Sequence, residues 1–403
     1  MTKIIKVYHI SHGFYPSPGG VQNHVYNLTK ELTKIGVNIK VFIPRREMSI
    51  SQTPGIETNI QLVEVGIETR TTSLINKALS NYVSLADWLA RAIIDWRNAD
   101  IVHIHSPASP KYFTVLPGMT VSPQWLVKKI NLLSRPIVAT FHGLYADYNV
   151  KNIKFDKMSV EVANFFIGVD RTICRGLVKY YGVPPDKVFH IPNGVQRELL
   201  EIGKKRIRRV DVDTLSEIIL VPRRIDRKNG NIFAVRAFAL IAKEFPNARL
   251  VLTGFNSGDL EYQQEIINEI KRLKLESRVH LLPLIPTRKM INLYLISRVT
   301  VIPSIWEATS LAALESMALG VPVIASTTGG LPEIVDEEVG YLHKPMDVEA
   351  LAKGMERALG DKNEYVKKVY RSVKRMEEYT WDKIALRTME VYKRVLEYHV
   401  SRF

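Results

Sequence analysis

Short apolar runs alternate with helical segments from one end of the chain to the other, and this alternation constrains the fold more than any other feature. The apolar runs are continuous, as is typical of strands buried on both faces of a parallel sheet. The segments between them, such as 21–35 and 232–244, carry apolar residues at helical spacing. The pattern predicts an α/β fold of helix-covered parallel sheets. The predicted strands are 4–10, 38–43, 101–105, 136–140, 188–191, 218–221, 249–253, 279–282, 299–302 and 321–325.

The length of 403 residues is enough for two domains, each with its own core. We predict a first domain over 1–197, completed by a C-terminal helix over 384–403, and a second domain over 198–383. The sequence has no apolar run of the ~20 residues that span a bilayer and no secretory signal. A single cysteine, Cys174, excludes an internal disulfide. We therefore expect a cytoplasmic protein.

The net charge of +15 points to one of three partners: nucleic acid, an anionic membrane surface or an anionic substrate. No nucleic-acid-binding motif is present, so we expect no nucleic-acid partner. The densest basic cluster, Lys204 to Arg209, is interpreted as a solvated linker. The apolar stretch 112–133 contains Trp125 and Lys128 and is interpreted as core or as an acceptor wall, with contact to a membrane interface as the alternative.

Two glutamates in the segment 302–325, Glu307 and Glu315, are separated by seven residues. The strand 299–302 and a predicted helix over 310–319 place Glu307 in the connecting loop and Glu315 more than one turn into the helix. The N–H groups at the start of such a helix form an anion site suited to a diphosphate. Carboxylates beside it are able to accept hydrogen bonds from sugar hydroxyls. Spacing alone leaves open the alternative of two solvated glutamates.

Several short motifs occur in one order along nearly the whole chain. They are FYPSPGG (14–20), ATFHG (139–143), IPNGV (191–195), RRIDRKNG (223–230) and a longer pattern formed by Pro303, Ser304, Glu307, Glu315, Met317, Ala318, Gly320, Pro322, Val323, Gly329, Gly330, Pro332 and Glu333. In content and order these motifs resemble the retaining glycosyltransferases of family four, which have the GT-B fold.

The resemblance implies two Rossmann-like doubly wound domains facing a cleft, with the C-terminal helix crossing back to the N-terminal domain. It implies a retaining glycosyltransferase of the hexosyltransferase type, working without a metal or other cofactor. The donor would be a nucleotide-diphosphate sugar. The acceptor would be a hydroxyl group of a glycan, a lipid-linked glycan or a small molecule, and a lipid-linked acceptor would bring the protein to the inner membrane surface. The sugar, the base and the oligomeric state are not predicted.

The resemblance also assigns residues. Gly19 and Gly20 would lie against the donor diphosphate, where glycines allow close backbone approach. His142 would face the donor sugar, as would Glu307, and Glu315 would hold the ribose. The backbone N–H groups of Thr309, Ser310 and Leu311 would reach the phosphate.

Two cations of the RRIDRKNG motif would face the diphosphate, an arginine and a lysine five residues later. A gapless match from Arg224 places Asn229 at the second position, whereas a match from Arg223 places Lys228 there. We expect Arg224 and Lys228 to act, with Arg223 as the alternate that points away because strand residues alternate.

Other functions and sites fit the sequence less well. A Rossmann dinucleotide enzyme lacks its Gly-x-Gly-x-x-Gly fingerprint here. A sugar-nucleotide epimerase of the same architecture, or a non-catalytic transferase-like subunit, remains an alternative. His103 and His105 share one strand face and could suggest a metal pair, but we expect no third ligand nearby, so packing or a polar lining is the favoured interpretation. The Asp211-Val212-Asp213 triplet resembles a metal motif of another transferase fold and is interpreted as coincidence.

Overall fold

The structure is a computed structural model that describes residues 4–17, 19–44, 60–65, 90, 95–106, 114–116, 119–120, 135–144, 153–208 and 216–401. The chain divides into two compact units: Met1–Pro192 together with Trp381–Phe403, and Asn193–Thr380. The predicted boundaries, at 197 and 383, lie a few residues beyond these positions. Arg209, the triplet 211–213 and most of the stretch 112–133 are outside the described residues.

Strands and helices alternate through the described residues. The strands are β1 (Lys6–Ile10), β2 (Asn38–Pro44), β3 (Ile60–Val65), β4 (Ile101–Ser106), β5 (Thr114–Leu116), β6 (Met119–Thr120), β7 (Ile137–Phe141), β8 (Phe165–Gly168), β9 (Val188–His190), β10 (Ile218–Val221), β11 (Arg249–Phe255), β12 (Val279–Pro283), β13 (Val299–Ile302), β14 (Val323–Ser326) and β15 (Gly340–His343). The helices are α1 (Gly20–Lys34), α2 (Ile153–Val162), α3 (Arg171–Tyr181), α4 (Arg197–Ile207), α5 (Asn231–Ile241), α6 (Leu260–Arg272), α7 (Thr287–Ile296), α8 (Leu311–Ala318), α9 (Leu331–Ile334), α10 (Val348–Gly360), α11 (Lys362–Met376) and α12 (Trp381–Val400).

The first unit is built on a seven-stranded sheet with the order β3-β2-β1-β4-β7-β8-β9. Every neighbouring pair in it is parallel, whereas β5 and β6 form a separate antiparallel pair. β7 and β8 are buried along their whole length, as is typical of strands in a parallel sheet. The order reverses direction between β1 and β4, which are neighbours although β2 and β3 lie between them in sequence.

The second unit has a six-stranded parallel sheet with the order β12-β11-β10-β13-β14-β15. Alternate residues of β10 enter different cores. Ile219 and Val221 pack in the core that contains Phe238 of α5, whereas Leu220 packs in the core that contains Leu314 of α8. The sheet is therefore covered on both faces, which explains why its strands are continuously apolar. Full burial of a side chain such as Phe238 contributes about 1.5–3 kcal/mol.

The last helix belongs to the first unit, although the second unit precedes it in sequence. α12 packs against α1, and the ring of Trp381 at its start lies 5.2 Å from the ring of His24. Further along α12, the Tyr392 hydroxyl lies 2.6 Å from Nδ1 of His103 on β4. The expectation that the C-terminal helix returns to the N-terminal domain is confirmed. Among the helices in the described ranges, none combines the length and apolarity needed to cross a membrane.

Candidate active site

The strand order of the second unit brings two of the sequence motifs together. β10 and β13 are hydrogen-bonded neighbours, although β11 and β12 lie between them in sequence. Such a reversal opens a crevice at the carboxyl ends of the two strands, where open α/β sheets bind ligands. Arg223 follows β10 and Glu307 follows β13. The topology explains why two residues that are 84 positions apart form an ion pair.

The Arg223 guanidinium is the centre of the hydrogen bonds at this site. Its Nη2 donates to the carboxylate of Glu307 and, over 2.8 Å, to Oδ1 of Asn229. Its Nη1 donates to Oγ of Ser310 over 3.3 Å, and Ser304 donates to Oε2 of Glu307 over 3.2 Å. The side chains of Arg223 and Glu307 are only 16% and 13% exposed, so water screens this pair less than a surface pair.

The side chain of Arg224, which we expected to face the diphosphate, lies outside this network. Its side chain is 58% exposed, and its Nε donates to Oδ2 of Asp226 over 2.7 Å. The expectation assumed that strand alternation continues beyond β10. Instead Pro222, which has no N–H, ends the strand, and the N–H of Arg223 donates back to the carbonyl of Val221 over 2.9 Å. This tight bend directs Arg223 into the site.

Asn229 supports this arrangement from the end of the Arg227–Asn229 turn. In the match that begins at Arg224, this position is the one that the resembled family fills with lysine. Here the Nδ2 of Asn229 donates to the carbonyl of Arg224 over 2.7 Å, while its Oδ1 accepts from Arg223. An amide thus holds the arginine in place, and the lysine is one residue earlier.

Lys228 is tied to the Glu307 loop through its backbone. Its carbonyl accepts from the backbone N–H groups of Ile305, over 2.8 Å, and Trp306, over 3.3 Å. Its Nζ lies 5.4 Å from the centroid of the Trp306 ring. Loss of solvation lowers the pKa of Lys228, Glu307 opposes that change, and Arg223 lowers the pKa further. Lys228 therefore shares the electrostatic environment of the Arg223–Glu307 pair.

The start of α8 adds backbone donors beside Arg223. Ser310 is the N-cap residue, but its side chain makes no capping bond, and its Oγ accepts from Arg223 instead. The Thr309 carbonyl accepts from Nδ2 of Asn193 over 2.9 Å, which fixes the approach to the helix. The first N–H groups of a helix, here from Leu311 onward, have no intrahelical acceptors. They and the arginine favour an anion at the same place.

Gly329 packs directly against the Glu307 loop. It has a φ of 52°, and a Cβ at this position would lie 1.5 Å from the carbonyl oxygen of Glu307. Close by, Ser326 donates to the carbonyl of Ser304 over 2.6 Å. The Gly-Gly motif after β14 therefore shapes the loop that carries Glu307, and only glycine fits there without displacing the backbone.

Glu315 lies in α8 and contacts α7. The Tyr294 hydroxyl donates to Oε2 of Glu315 over 3.3 Å. Burial raises the pKa of Glu315 to about 7, although the hydrogen bond from Tyr294 acts in the opposite direction. Burial and the nearby carboxylate raise the pKa of Tyr294 well above its ordinary value, so its hydroxyl keeps its proton. Because its pKa is about 7, the carboxyl of Glu315 is partly ionised at neutral pH. The ionised form is the better acceptor of further hydrogen bonds.

The remaining predicted residues belong to the first unit. Gly19 is the N-cap residue of α1, with a φ of 153°, and Gly20 is the first residue of that helix. This positive φ favours glycine, and a Cβ at Gly19 would also require the side-chain amide of Gln22, with Oε1 2.2 Å away, to move. His142 follows β7 and is partly exposed, with its Nε2 3.3 Å from Nδ1 of His105. Burial lowers the pKa of His142 well below its ordinary value, and His24 adds to that decrease.

The expectation that His103 and His105 lack a nearby third histidine is wrong. His9 of β1 lies beside both of them, and the ligand atoms of the three rings are within 4.8 Å of one another. His24, His105 and His142 form a second such group. Neighbouring strands that are distant in sequence bring these rings together, which the sequence spacing did not reveal.

Two family models match the chain, one after the other. The model described as Glycosyltransferase Family 4 matches residues 18–199, and the model described as Glycosyl transferases group 1 matches residues 204–376. Together they span most of both units. The chain is a GT-B glycosyltransferase of the family-four type.

Individual proteins agree with this assignment. The glycosyltransferase is 29% identical to an uncharacterized glycosyltransferase of Methanocaldococcus jannaschii, over 74% of this chain and 76% of that protein. It is 24% identical to the D-inositol 3-phosphate glycosyltransferase of Corynebacterium aurimucosum, over 93% and 90% of the two chains. The crystal structure of Anabaena HepE in complex with UDP-glucose has the same fold, with a TM-score of 0.71 and 17% identity, over 98% of this chain and 100% of that one.

Sequence reasoning missed several residues of the glycosyltransferase's candidate site. Ser304 and Asn193 lie within the motifs but have no predicted role, and Asn229 occupies a position where the resemblance implies a lysine. Tyr294 lies in a helix that no motif marked. A polar residue on an otherwise apolar helix face is a weak signal, because its partner Glu315 is identified only once the two helices are packed.

Proposed function

We propose that this glycosyltransferase moves a sugar from a nucleotide-diphosphate sugar to a hydroxyl acceptor, with retention of anomeric configuration and without a metal ion. The observation that carries the proposal is the shielded Arg223–Glu307 pair beside the first turn of α8. A cation and the backbone N–H groups at a helix start are suited to a diphosphate, while a carboxylate at the same point is suited to sugar hydroxyls.

Each candidate residue has a part in this proposal. Arg223 and Lys228, with the N–H groups of 309–311, bind the diphosphate and stabilise the charge that develops as it departs. Glu315 accepts hydrogen bonds from the ribose hydroxyls. Glu307 orients the donor sugar, and in the first unit His142 acts on the same sugar while Gly19 and Gly20 approach the diphosphate.

The proposed reaction occurs on one face of the donor sugar. The bond from the anomeric carbon to the diphosphate oxygen breaks, and the acceptor oxygen bonds to the same carbon from the same side. The acceptor proton passes to an oxygen of the departing phosphate. Preorganised cations and N–H dipoles are expected to supply most of the stabilisation, about 3 kcal/mol for each group. No residue is assigned as a covalent nucleophile.

The donor and acceptor classes follow from similarity and charge. HepE, which shares the fold, was crystallised with UDP-glucose, which favours a uridine diphosphate donor for this chain. A relative of similar length is named for an acceptor that is an inositol phosphate, and a net charge of +15 suits an anionic acceptor. Our proposed acceptor is a hydroxyl of a small molecule, a glycan or a lipid-linked glycan, reached in the cytoplasm or at the inner membrane surface.

Thermal denaturation with a panel of nucleotide sugars tests the donor. A donor at a hundred times its dissociation constant should add about 2.7 kcal/mol to the free energy of unfolding. The stabilising donor is then incubated with inositol phosphate, phosphatidylinositol vesicles and free glycans, and NMR reports the anomeric configuration of the product. Inversion would refute retention. An isomerised nucleotide sugar without transfer would favour the epimerase alternative, and absence of both binding and hydrolysis would favour a non-catalytic subunit.

A further inference from the structure

A cluster of histidines lies in the first unit where its strand order reverses, between β1 and β4. His9 of β1 pairs in register with His103 of β4, and His105 of β4 pairs with Thr140 of β7. Residues that pair across parallel strands share a sheet face, and side chains two apart on one strand do so too. His142 follows on the same side. The sheet therefore gathers these side chains on one face, beneath α12.

The side chains form one continuous hydrogen-bonded chain. The links are Thr140 Oγ1 to His103 Nε2 at 2.7 Å, His103 Nδ1 to the Tyr392 hydroxyl at 2.6 Å, Tyr392 to His9 Nε2 at 3.5 Å, His9 Nδ1 to His105 Nε2 at 3.0 Å, and His105 Nδ1 to His142 Nε2 at 3.3 Å. Each of the three inner imidazoles uses both ring nitrogens. The chain begins at a buried hydroxyl and ends at the candidate residue His142.

Each imidazole in the chain is neutral near pH 7. Burial lowers the pKa of His9 to about 3 and holds the pKa values of His103, His105 and His142 well below the ordinary value. A neutral imidazole donates from one nitrogen and accepts at the other. The donors along the chain must therefore all point the same way, and the proton position on one ring sets that on the next.

Thr140 decides which way they point. Its hydroxyl is buried, and within the described residues its one hydrogen-bond partner is Nε2 of His103. If the chain ran from His142 towards Thr140, the threonine hydrogen would have no acceptor there, and a buried unsatisfied donor is costly. With the opposite polarity Thr140 donates to His103, His103 to Tyr392, Tyr392 to His9, His9 to His105, and His105 to His142.

We propose that His9, His103, His105 and Tyr392 are positioning residues that hold the proton of His142 on Nδ1. Nε2 of His142 is occupied as the acceptor from His105, so its free group is an N–H donor. The inference rests on the proposed function in one respect, that His142 faces the donor sugar. There it presents a hydrogen-bond donor rather than a base, in agreement with a reaction in which the departing phosphate takes the acceptor proton.

The same rings are close enough to suggest a transition-metal site, but their hydrogen bonds argue against it. A metal binds the unprotonated nitrogen of a histidine. The nitrogens of His9 and His105 that face each other at 3.0 Å already share a proton, and both nitrogens of His103 are bonded to hydroxyl groups.

The proton positions are measured directly with histidine labelled with ¹⁵N, by long-range ¹H–¹⁵N correlation spectra of the full chain. The His142 signals are assigned by their loss in His142→Gln. We expect Nδ1 of His142 to carry the proton in the wild type. Tyr392→Phe and Thr140→Val each remove a hydroxyl from the hydrogen-bonded chain of side chains, at two distant links. In both variants the Nε2-protonated form of His142 should therefore appear. kcat should fall about fivefold, the worth of one hydrogen bond, with KM for the donor nearly unchanged.

Thr388→Val is the matched control. Thr388 is as buried as Thr140, lies one turn before Tyr392 on α12, and donates to the carbonyl of Ile384 over 2.9 Å, outside the chain. It should lose stability as Thr140→Val does but leave the His142 spectrum unchanged. Wild-type His142 protonated on Nε2, or a His142 spectrum that neither variant alters, would overturn the inference, as would a stoichiometric transition metal detected by mass spectrometry in untagged protein. The spectra need no substrate. Failure of the transferase assay alone would therefore count against the proposed function and not against the hydrogen-bonded chain of side chains.

Discussion

The hydroxyl of Tyr294, in α7, donates a hydrogen bond over 3.3 Å to Oε2 of Glu315, in α8. Both helices belong to the second unit, where we propose that the nucleotide binds. Burial raises the pKa of Glu315 to about 7, so its carboxyl is half ionised near neutrality, and Tyr294 is the neighbour that favours the ionised form.

This relationship predicts that nucleoside diphosphate binding depends on pH. Ribose hydroxyls donate to the ionised carboxylate, so affinity should rise about tenfold between pH 6 and 8, because a group with a pKa of 7 is about one-tenth ionised at pH 6. Calorimetry in buffers of different ionisation enthalpy should show proton release at pH 7.

Glu315→Gln is the control, because the phosphate also titrates in this range. The variant should bind more weakly and lose the part of the pH dependence that belongs to the carboxyl. Equal affinities and equal pH profiles for wild type and variant would remove Glu315 from the ribose site.

The geometry of the two arginines predicts unequal effects on turnover. Arg223→Ala and Lys228→Ala should each lower kcat at least about a hundredfold, the low end for losing one preorganised donor. Arg224→Ala, the matched control, should cost much less because its side chain is exposed and pairs with Asp226. Steady-state assays with one donor compare the three. A large loss of kcat in Arg224→Ala together with a small loss in Arg223→Ala would show that substrate binding rearranges the motif.

The contact between Gly329 and the Glu307 loop predicts a severe effect of one methyl group. Gly329→Ala should displace the carbonyl of Glu307 and abolish donor binding, measured by thermal shift. Gly182→Ala provides the comparison, since Gly182 also has a positive φ, 66°, but has open space around its Cβ position. It should show only the backbone cost of a left-handed conformation, about 1–2 kcal/mol. Similar losses of donor binding in both variants would mean that sterics at Glu307 do not matter.

The proposed charge balance predicts that activity survives chelation. Arg223, Lys228 and the N–H groups of α8 would neutralise the diphosphate without a metal. In the described residues, both groups that could hold a metal are histidine clusters of the first unit. The initial rate with and without EDTA tests this. Activity that disappears with EDTA and returns with magnesium or manganese would contradict it.

Buried His9 predicts a loss of stability in acid. Its pKa is about 3 in the folded protein against 6.5 in the unfolded chain, so between these values the unfolded state binds the additional proton. The contribution of neutral His9 to the free energy of unfolding is complete above pH 6.5. It is lost as the pH falls towards 3, at about 1.4 kcal/mol per pH unit. Denaturant titrations at several pH values should show that His9→Gln flattens this slope. An unchanged slope would mean that other groups account for it.

The sequence alone determined the class of this fold and predicted the location of its candidate site in the chain. Continuous apolar runs predicted parallel, helix-covered sheets, and the segments 218–221 and 299–302 have the predicted strand bounds. The Glu307–Glu315 motif, between a strand and a helix, was visible because the chemistry of an anion site at a helix start is local. Strands β3, β5, β6, β8 and β15 were not among the predicted runs; β5 and β6 are only three and two residues long, and β15 contains a glycine and a histidine.

Tertiary structure decided which side chains meet. Arg223 rather than Arg224 reaches Glu307, because the bend at Pro222 ends the strand alternation that the prediction assumed. Likewise Tyr392 contacts His103 across 289 residues of sequence, because α12 returns to the first sheet. The spacing of apolar residues shows which face of a single helix or strand is buried. The partners of a side chain depend on strand order and helix packing, which are set by the free energy of the whole chain.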